Sequence, residues 1–249
     1  MNATTRRSLS VMLAHAAALG LSCVKRAMGP PPEPINTPIH EPWEDEEAEN
    51  IALLLSGHLC APRDLYEQVR SDLAAIRESW GDTMPRVSTI RHHGFFIPGT
   101  LSLGVTPETL NQIQNGVYTA WDSLNQRFRL RETDISGYAL VVHLTFEARV
   151  HWDTLSVAYA DLPGLRWVEP QSYGGDWPEL YVRRVDRGIG YLFSDAWGDC
   201  YAGCAYSHYW YYRVQGRCIE YVGNWFPQAE MPEPEPTWWE EASKSIIIY

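Results

Sequence analysis

The densest run of chemically active side chains is Trp197-Gly198-Asp199-Cys200-Tyr201-Ala202-Gly203-Cys204-Ala205-Tyr206-Ser207-His208-Tyr209-Trp210, with Cys218 a short way on. Three chemistries suit these residue types. Setting Cys23 aside, four cysteines remain, and an even number in an exported chain favours disulfides. Cys200 with Cys204 would close a tight loop eased by Gly203, leaving Cys60 with Cys218 as a second bridge; so short a loop is geometrically demanding. Alternatively, Cys200, Cys204, His208 and Cys218 form a Cys3His set, since thiolate and imidazole suit zinc. On a helix the first three would nearly align, but residues 206–214 read as a strand. In the third reading Cys200 is a nucleophile, His208 its base, and Asp199 or Asp195 orients the imidazole; a thiol needs such a base to act at neutral pH. The aromatic residues of this run, Trp197, Tyr201, Tyr209 and Trp210, are candidates for contact with a partner.

Other polar residues point less far. His92-His93 could bind a metal, although paired histidines are more often simply solvated. Glu147, His151 and Asp153 lie close together, and helix capping accounts for Asp153. The chain carries no phosphate-cradling glycine loop, no G-x-S-x-G elbow and no H-E-x-x-H pair. No cofactor is expected.

The elements that must position these residues begin with an export signal. Arg6 and Arg7 supply a positive start, and residues 8–22 an apolar stretch too short to span a bilayer comfortably. Residues 23–50 hold Pro30-Pro31-Pro32, Pro34, Pro38, Pro42 and the acidic run Glu44-Asp45-Glu46-Glu47, which reads as a stiff solvated linker. Residues 51–226 form a single domain, and residues 227–249 a second Pro-rich acidic tail. The net charge of −11 becomes −13 once the two signal arginines are removed, so there is no basic footprint for nucleic acid. Contact with a membrane is expected only through an N-terminal lipid. The 11 Trp and 14 Tyr fit the pleated faces of a β-rich core.

Within the domain, Asp64 stands where an N-cap belongs, and Leu65, Val69, Leu73, Ile76 and Trp80 fall on one helical stripe. A second helix follows Thr106-Pro107, with a stripe of Leu110, Ile113, Val117, Trp121, Leu124 and Phe128. Alternation from Tyr138 to Phe146 predicts a strand. Asp153 to Leu162 predicts a short helix stopped by Pro163-Gly164, and residues 165–168 a return strand. Antiparallel strands are expected near 179–185, 188–193, 207–214 and 217–222, the last two meeting at Gln215-Gly216. The fold class is therefore α+β: a mostly antiparallel sheet with two to three helices on one face, containing one βαβ unit.

Several stretches resemble known patterns. Leu19-Gly20-Leu21-Ser22-Cys23 resembles a lipoprotein processing site, which implies a lipid on Cys23; Gly20 departs from the larger aliphatic residue usual there. Thr5-Arg6-Arg7-Ser8-Leu9 loosely resembles a twin-arginine signal. The Trp197–Trp210 run, with its Trp-Gly-Asp-Cys-x-x-Gly-Cys core and His-Tyr-Trp end, resembles a set of exported bacterial proteins with no established activity, which implies export and fold alone. Asp199-Cys200 is similar to the start of papain-like cell-wall peptidases, whose histidine follows several dozen residues later; His208 is the sole histidine after Cys200. Residues 138–171, with Leu162-Pro163-Gly164-Leu165-Arg166-Trp167-Val168-Glu169-Pro170, are similar to the second half of subtilisin-type propeptides, small α+β modules that inhibit a protease through an exposed sheet face and tail. No subtilase domain follows in this chain.

Together these features lead to one expectation: a non-catalytic exported protein of the cell envelope or secreted medium, which binds an unknown protein or envelope component. The alternatives are a thiol hydrolase using Cys200, His208 and Asp199, and a propeptide-like protease inhibitor.

Overall fold

The acidic run read as linker begins a helix. Asp45 accepts a hydrogen bond from the Ala48 amide at 3.0 Å and caps α1 (Glu46–Ser56). Glu46, Glu47 and Glu49 stand in its first turn, where carboxylates oppose the positive end of the helix dipole. The computed structural model describes residues 38–94, 96–136, 139–172, 177–200, 203–229 and 234–248. Residues 1–22, expected to be an export signal, and Cys23, expected to carry a lipid, lie outside the described residues.

Helix α2 (Arg63–Trp80) buries the expected stripe, Leu65, Val69, Leu73 and Ile76, at about 1.5–3 kcal/mol for each side chain. It starts two residues earlier than expected, after Pro62, and Asp64 makes no cap. A short helix, α3 (Pro85–Thr89), follows. The expected second helix is broken in two, α4 (Pro107–Gln114) and α5 (Asp122–Phe128). The break falls at Asn115-Gly116, where Gly116 takes a positive φ of 68°, and it leaves Val117 63% exposed, off the apolar stripe.

Instead of one sheet there are two, each four-stranded and antiparallel. The first comprises β1 (Phe96–Val105), β2 (Leu130–Ile135), β3 (Val141–Phe146) and β4 (Leu165–Ser172), in the order β2-β3-β1-β4. Helix α6 (Trp152–Ala160) joins β3 to β4. Both strands pair with β1, so the strand–helix–strand unit is split by an intervening strand, the ferredoxin-like arrangement. Leu101, Leu103, Val105, Val142, Leu144 and Phe146 alternate onto the helix-covered face and pack with Trp121, Leu155 and Tyr159. The opposite face carries a polar row, Asp134, His143, Ser102 and Glu169 in register, next to Trp167. Trp167 lies over Gly104, where a Cβ would come within 2.1 Å of its indole nitrogen.

The second sheet runs in chain order: β5 (Glu179–Val185), β6 (Gly188–Trp197), β7 (Tyr206–Gln215) and β8 (Cys218–Trp225). All four strands were expected near these positions, but β6 runs four residues beyond the expected 193, to Trp197, and β8 three beyond the expected 222. Its inner face, with Leu180, Val182, Tyr191, Phe193 and Tyr212, receives the apolar stripes of α1 and α2. Its outer face is covered by the segment read as a solvated tail. There Trp238, α7 (Trp239–Ala242) and the 3-10 turn Ser243–Ile248 pack on Leu192 and Tyr211, and Ala242 is fully buried. Four prolines set the composition of that segment, but its two tryptophans supply enough apolar area to dock it.

An ionic seam joins α1 to the first sheet's half. Glu49 is fully buried and accepts from Arg149 at 2.9 Å and from the Trp43 amide at 2.9 Å; Arg149 also reaches Glu46 at 3.1 Å. Among the described residues no helix is long and apolar enough to cross a membrane.

Candidate functional site

The predicted chemical segment is the connection between β6 and β7. Their register sets Trp197 opposite Tyr206 and Asp195 opposite His208. Alternation places all four on the inner face, in line with Phe193 and Trp210. The helical layer ends at α3, where Arg86 grips both oxygens of Asp195, its Nε at 2.6 Å. Beyond that clamp nothing among the described helices covers the face. Trp197 is 40% exposed and Tyr206 44%.

Phe226, just past β8, completes an aromatic cluster. Its ring centroid lies 5.5 Å from Trp197 and 5.7 Å from His208, while Trp197 and Tyr206 are 5.7 Å apart. His208 also packs 4.0 Å from Trp210. Its Nε2 lies 3.0 Å from the Asn224 carbonyl oxygen, so that nitrogen is the donor, and Asn224 in turn donates to the Tyr221 hydroxyl at 2.8 Å.

The loop above is tied by a Cys200–Cys204 disulfide, with the two Cα atoms 3.9 Å apart. Gly198 begins it with φ of 103°, and a Cβ there would meet that of Ala205 at 2.8 Å, so only glycine fits the return. Tyr201 lies outside the described residues.

The structure brings together some of the predicted site residues and separates others. Cys200 and Cys204 are joined as expected. Cys60 and Cys218 are not joined to each other: Cys60 packs beside the first sheet's core, and Cys218 is exposed at the β7–β8 hairpin. The Cys3His set is not assembled. Two of its sulfurs are bonded, and Cys218 pairs with Gln215 at the far end of β7, seven residues from His208 and so about 23 Å along the strand. Among the described residues no three His, Cys, Asp or Glu side chains are grouped to hold a metal. The nucleophile set is incomplete in this state as well, because the disulfide occupies Cys200, Arg86 occupies Asp195, and Asp199 is exposed on the loop. Of the predicted contact aromatics, Trp197 is open; Trp210 is only 7% exposed, and Tyr209 is half-buried beneath Trp239, ring centroids 4.6 Å apart.

Tyr206 and Phe226 were missed. Tyr206 was readable, since it continues the alternation of His208 and Trp210; Phe226 depends on where β8 ends in space.

The histidine pair has a structural role on one side and an open one on the other. His92 is buried, with Nδ1 2.8 Å from the Leu180 carbonyl and 3.2 Å from Glu179. Burial works against its imidazolium, but the Glu179 hydrogen bond and charge, the Leu180 carbonyl and Glu47 outweigh it and raise the pKa. His93 is half exposed, with Nδ1 3.6 Å from Glu179. Compared with known proteins, the chain matches no family model, no curated protein and no solved structure.

Proposed function

We propose that this chain is an exported, non-catalytic recognition protein that binds another envelope protein through the aromatic end of its second sheet. One observation carries the reading: Trp197 and Tyr206 stand open side by side on a rigid sheet, next to a disulfide-tied loop. Large amphipathic rings of this kind dominate protein interfaces, because they bury much area with few rotatable bonds. The disulfide fits an oxidising compartment. Residues 1–22 serve as the export signal, Cys23 as the lipidated residue, and the Pro-rich stretch that follows as the tether.

The test is a photo-crosslinking residue placed at Tyr206 in the native host, with Val157, 59% exposed on α6 of the first sheet's half, as the control position. A discrete adduct at Tyr206 that is absent at Val157, and lost in Trp197→Ala, is expected. Identical adduct patterns at both positions would overturn the reading.

A second reading, the propeptide-like inhibitor, is favoured by the uncovered face of the first sheet, where Trp167 is 40% exposed on β4. It expects the purified protein to slow peptide hydrolysis by a subtilisin-like protease, and Trp167→Ala to abolish that effect. An unchanged rate with the wild-type protein would sink it.

A further inference from the structure

A cavity of about 480 Å³ opens between α3 and the start of β5, lined by Arg86, Thr89, Ile90, Arg91, His93, Trp177 and Pro178. Its size falls in the range that holds small organic molecules. Its charge distribution is one-sided. Arg86, Arg91 and His93 have side chains 53%, 46% and 49% exposed, whereas their carboxylate partners Asp195, Glu47 and Glu179 are 13%, 13% and 8% exposed. The two arginines and the His93 ring therefore lie nearer to solvent than the acids beside them.

Arg91 is also only weakly paired. Glu47 takes both Arg77 nitrogens at 2.8 Å and the His92 amide at 2.9 Å, so Arg91, with Nε 3.9 Å away, has only a remainder of its charge, and Arg91 Nη1 donates to the Ser88 and Ile90 carbonyls at 2.7 and 3.1 Å. Glu179 takes the His93 amide at 2.9 Å, the Leu180 amide at 3.0 Å and the buried His92 ring at 3.2 Å on Oε1, while its Oε2 lies 3.6 Å from the His93 ring. Between them lies an apolar surface of Ile90, Pro178 and Trp177, with the Trp177 and His93 rings edge to face at 6.4 Å. An outward-facing positive patch beside a flat apolar wall stands out in a chain of net charge −11.

We propose that this cavity binds a small organic anion with a planar apolar body: a carboxylate or sulfonate held by Arg91 and His93, its ring against Trp177 and Pro178. Arginine suits the anionic end because its charge is permanent and, with Nη1 held by the two backbone carbonyls, the Nε–Nη2 edge of its planar fork is left to match a carboxylate's two oxygens. The site does not depend on the aromatic end being a recognition surface, so either proposal can fail alone.

The test is calorimetric titration of the full chain at low ionic strength with naphthalene-2-carboxylate, and with naphthalene-2-carboxamide as its neutral counterpart. Saturable one-to-one binding of the carboxylate is expected, with the carboxamide at least about tenfold weaker, equivalent to about 1.4 kcal/mol. Arg91→Ala and Trp177→Ala should each weaken the carboxylate by about tenfold or more, while Arg63→Ala, on α2 and outside the cavity, should not. Equal binding of acid and amide, no saturable binding of either, or undiminished binding in Arg91→Ala with an unchanged melting temperature would overturn the proposal. The acid-against-amide comparison uses the unmodified protein, so it decides the matter even if a variant misfolds.

Discussion

Asp72 projects from α2 into the core of the second sheet's half, 5% exposed, and accepts the Tyr191 hydroxyl at 2.8 Å. Burial raises its pKa to about 6, and the Tyr191 hydrogen bond offsets only part of that effect. A raised carboxyl pKa means that the folded protein holds this proton more tightly than the unfolded chain. The stability it contributes is thus fully present below the ordinary carboxyl pKa near 4, and is lost as pH rises through about 6. A shift of about 2 pH units corresponds to about 3 kcal/mol, and partial hydration of the carboxylate reduces this to about 1–2 kcal/mol. Asp72→Asn keeps the shape and an acceptor for Tyr191 but carries no charge at any pH. Its stability should match the wild type near pH 4 and exceed it by about 1–2 kcal/mol above pH 7, or about 2–8 °C in melting temperature. Calorimetric melting of both proteins from pH 4 to pH 7.5 measures this difference directly, and the titration of His92 is common to both curves. A difference that stays constant across that range, or a variant less stable than wild type at pH 7.5, would refute the argument.

Three other perturbations follow from the same geometry. The Cys200→Ser/Cys204→Ser double variant should lose about 2 kcal/mol, from the chain entropy of the short loop it opens, and reductant should lower the wild-type melting temperature but not the variant's. Gly104→Ala should displace the Trp167 indole and cost about 1–3 kcal/mol, and denaturant melts in a Trp167→Ala background should show most of that cost relieved. Arg149→Ala leaves Glu49 buried without its cation and should cost about 3–5 kcal/mol in the same assay, part of which Glu49→Gln in the same chain should recover.

Elements with strong local periodicity were legible. The stripe of α2, the alternation of β3 and the four strands of the second sheet follow from a 3.6- or two-residue repeat that burial on one face imposes on any such sequence. The Cys200–Cys204 pairing was the preferred one of three connectivities, on a spacing of four residues with Gly203 between, and the structure has that bridge. Strands β1 and β2 were missed: β1 carries Pro98, Gly99 and Gly104, and β2 is nearly all polar on an open sheet face. The ends of the domain were misread for a related reason. Proline and acid content made residues 46–50 and 238–246 look solvated, while Asp45 capping and the two tryptophans fold them in.

By itself the sequence determined the α+β class, the cysteine pair that is bridged and the segment where an open aromatic surface would arise. It could not determine that the strands divide into two sheets, that Trp210 is covered while Trp197 on the same face stays open, or that Arg91 and His93 share one cavity with Trp177. Those outcomes depend on cross-strand register and on how far α3 reaches along the second sheet. The reach of α3 is set by contacts between residues about a hundred positions apart, such as Arg86 with Asp195, which no local pattern encodes.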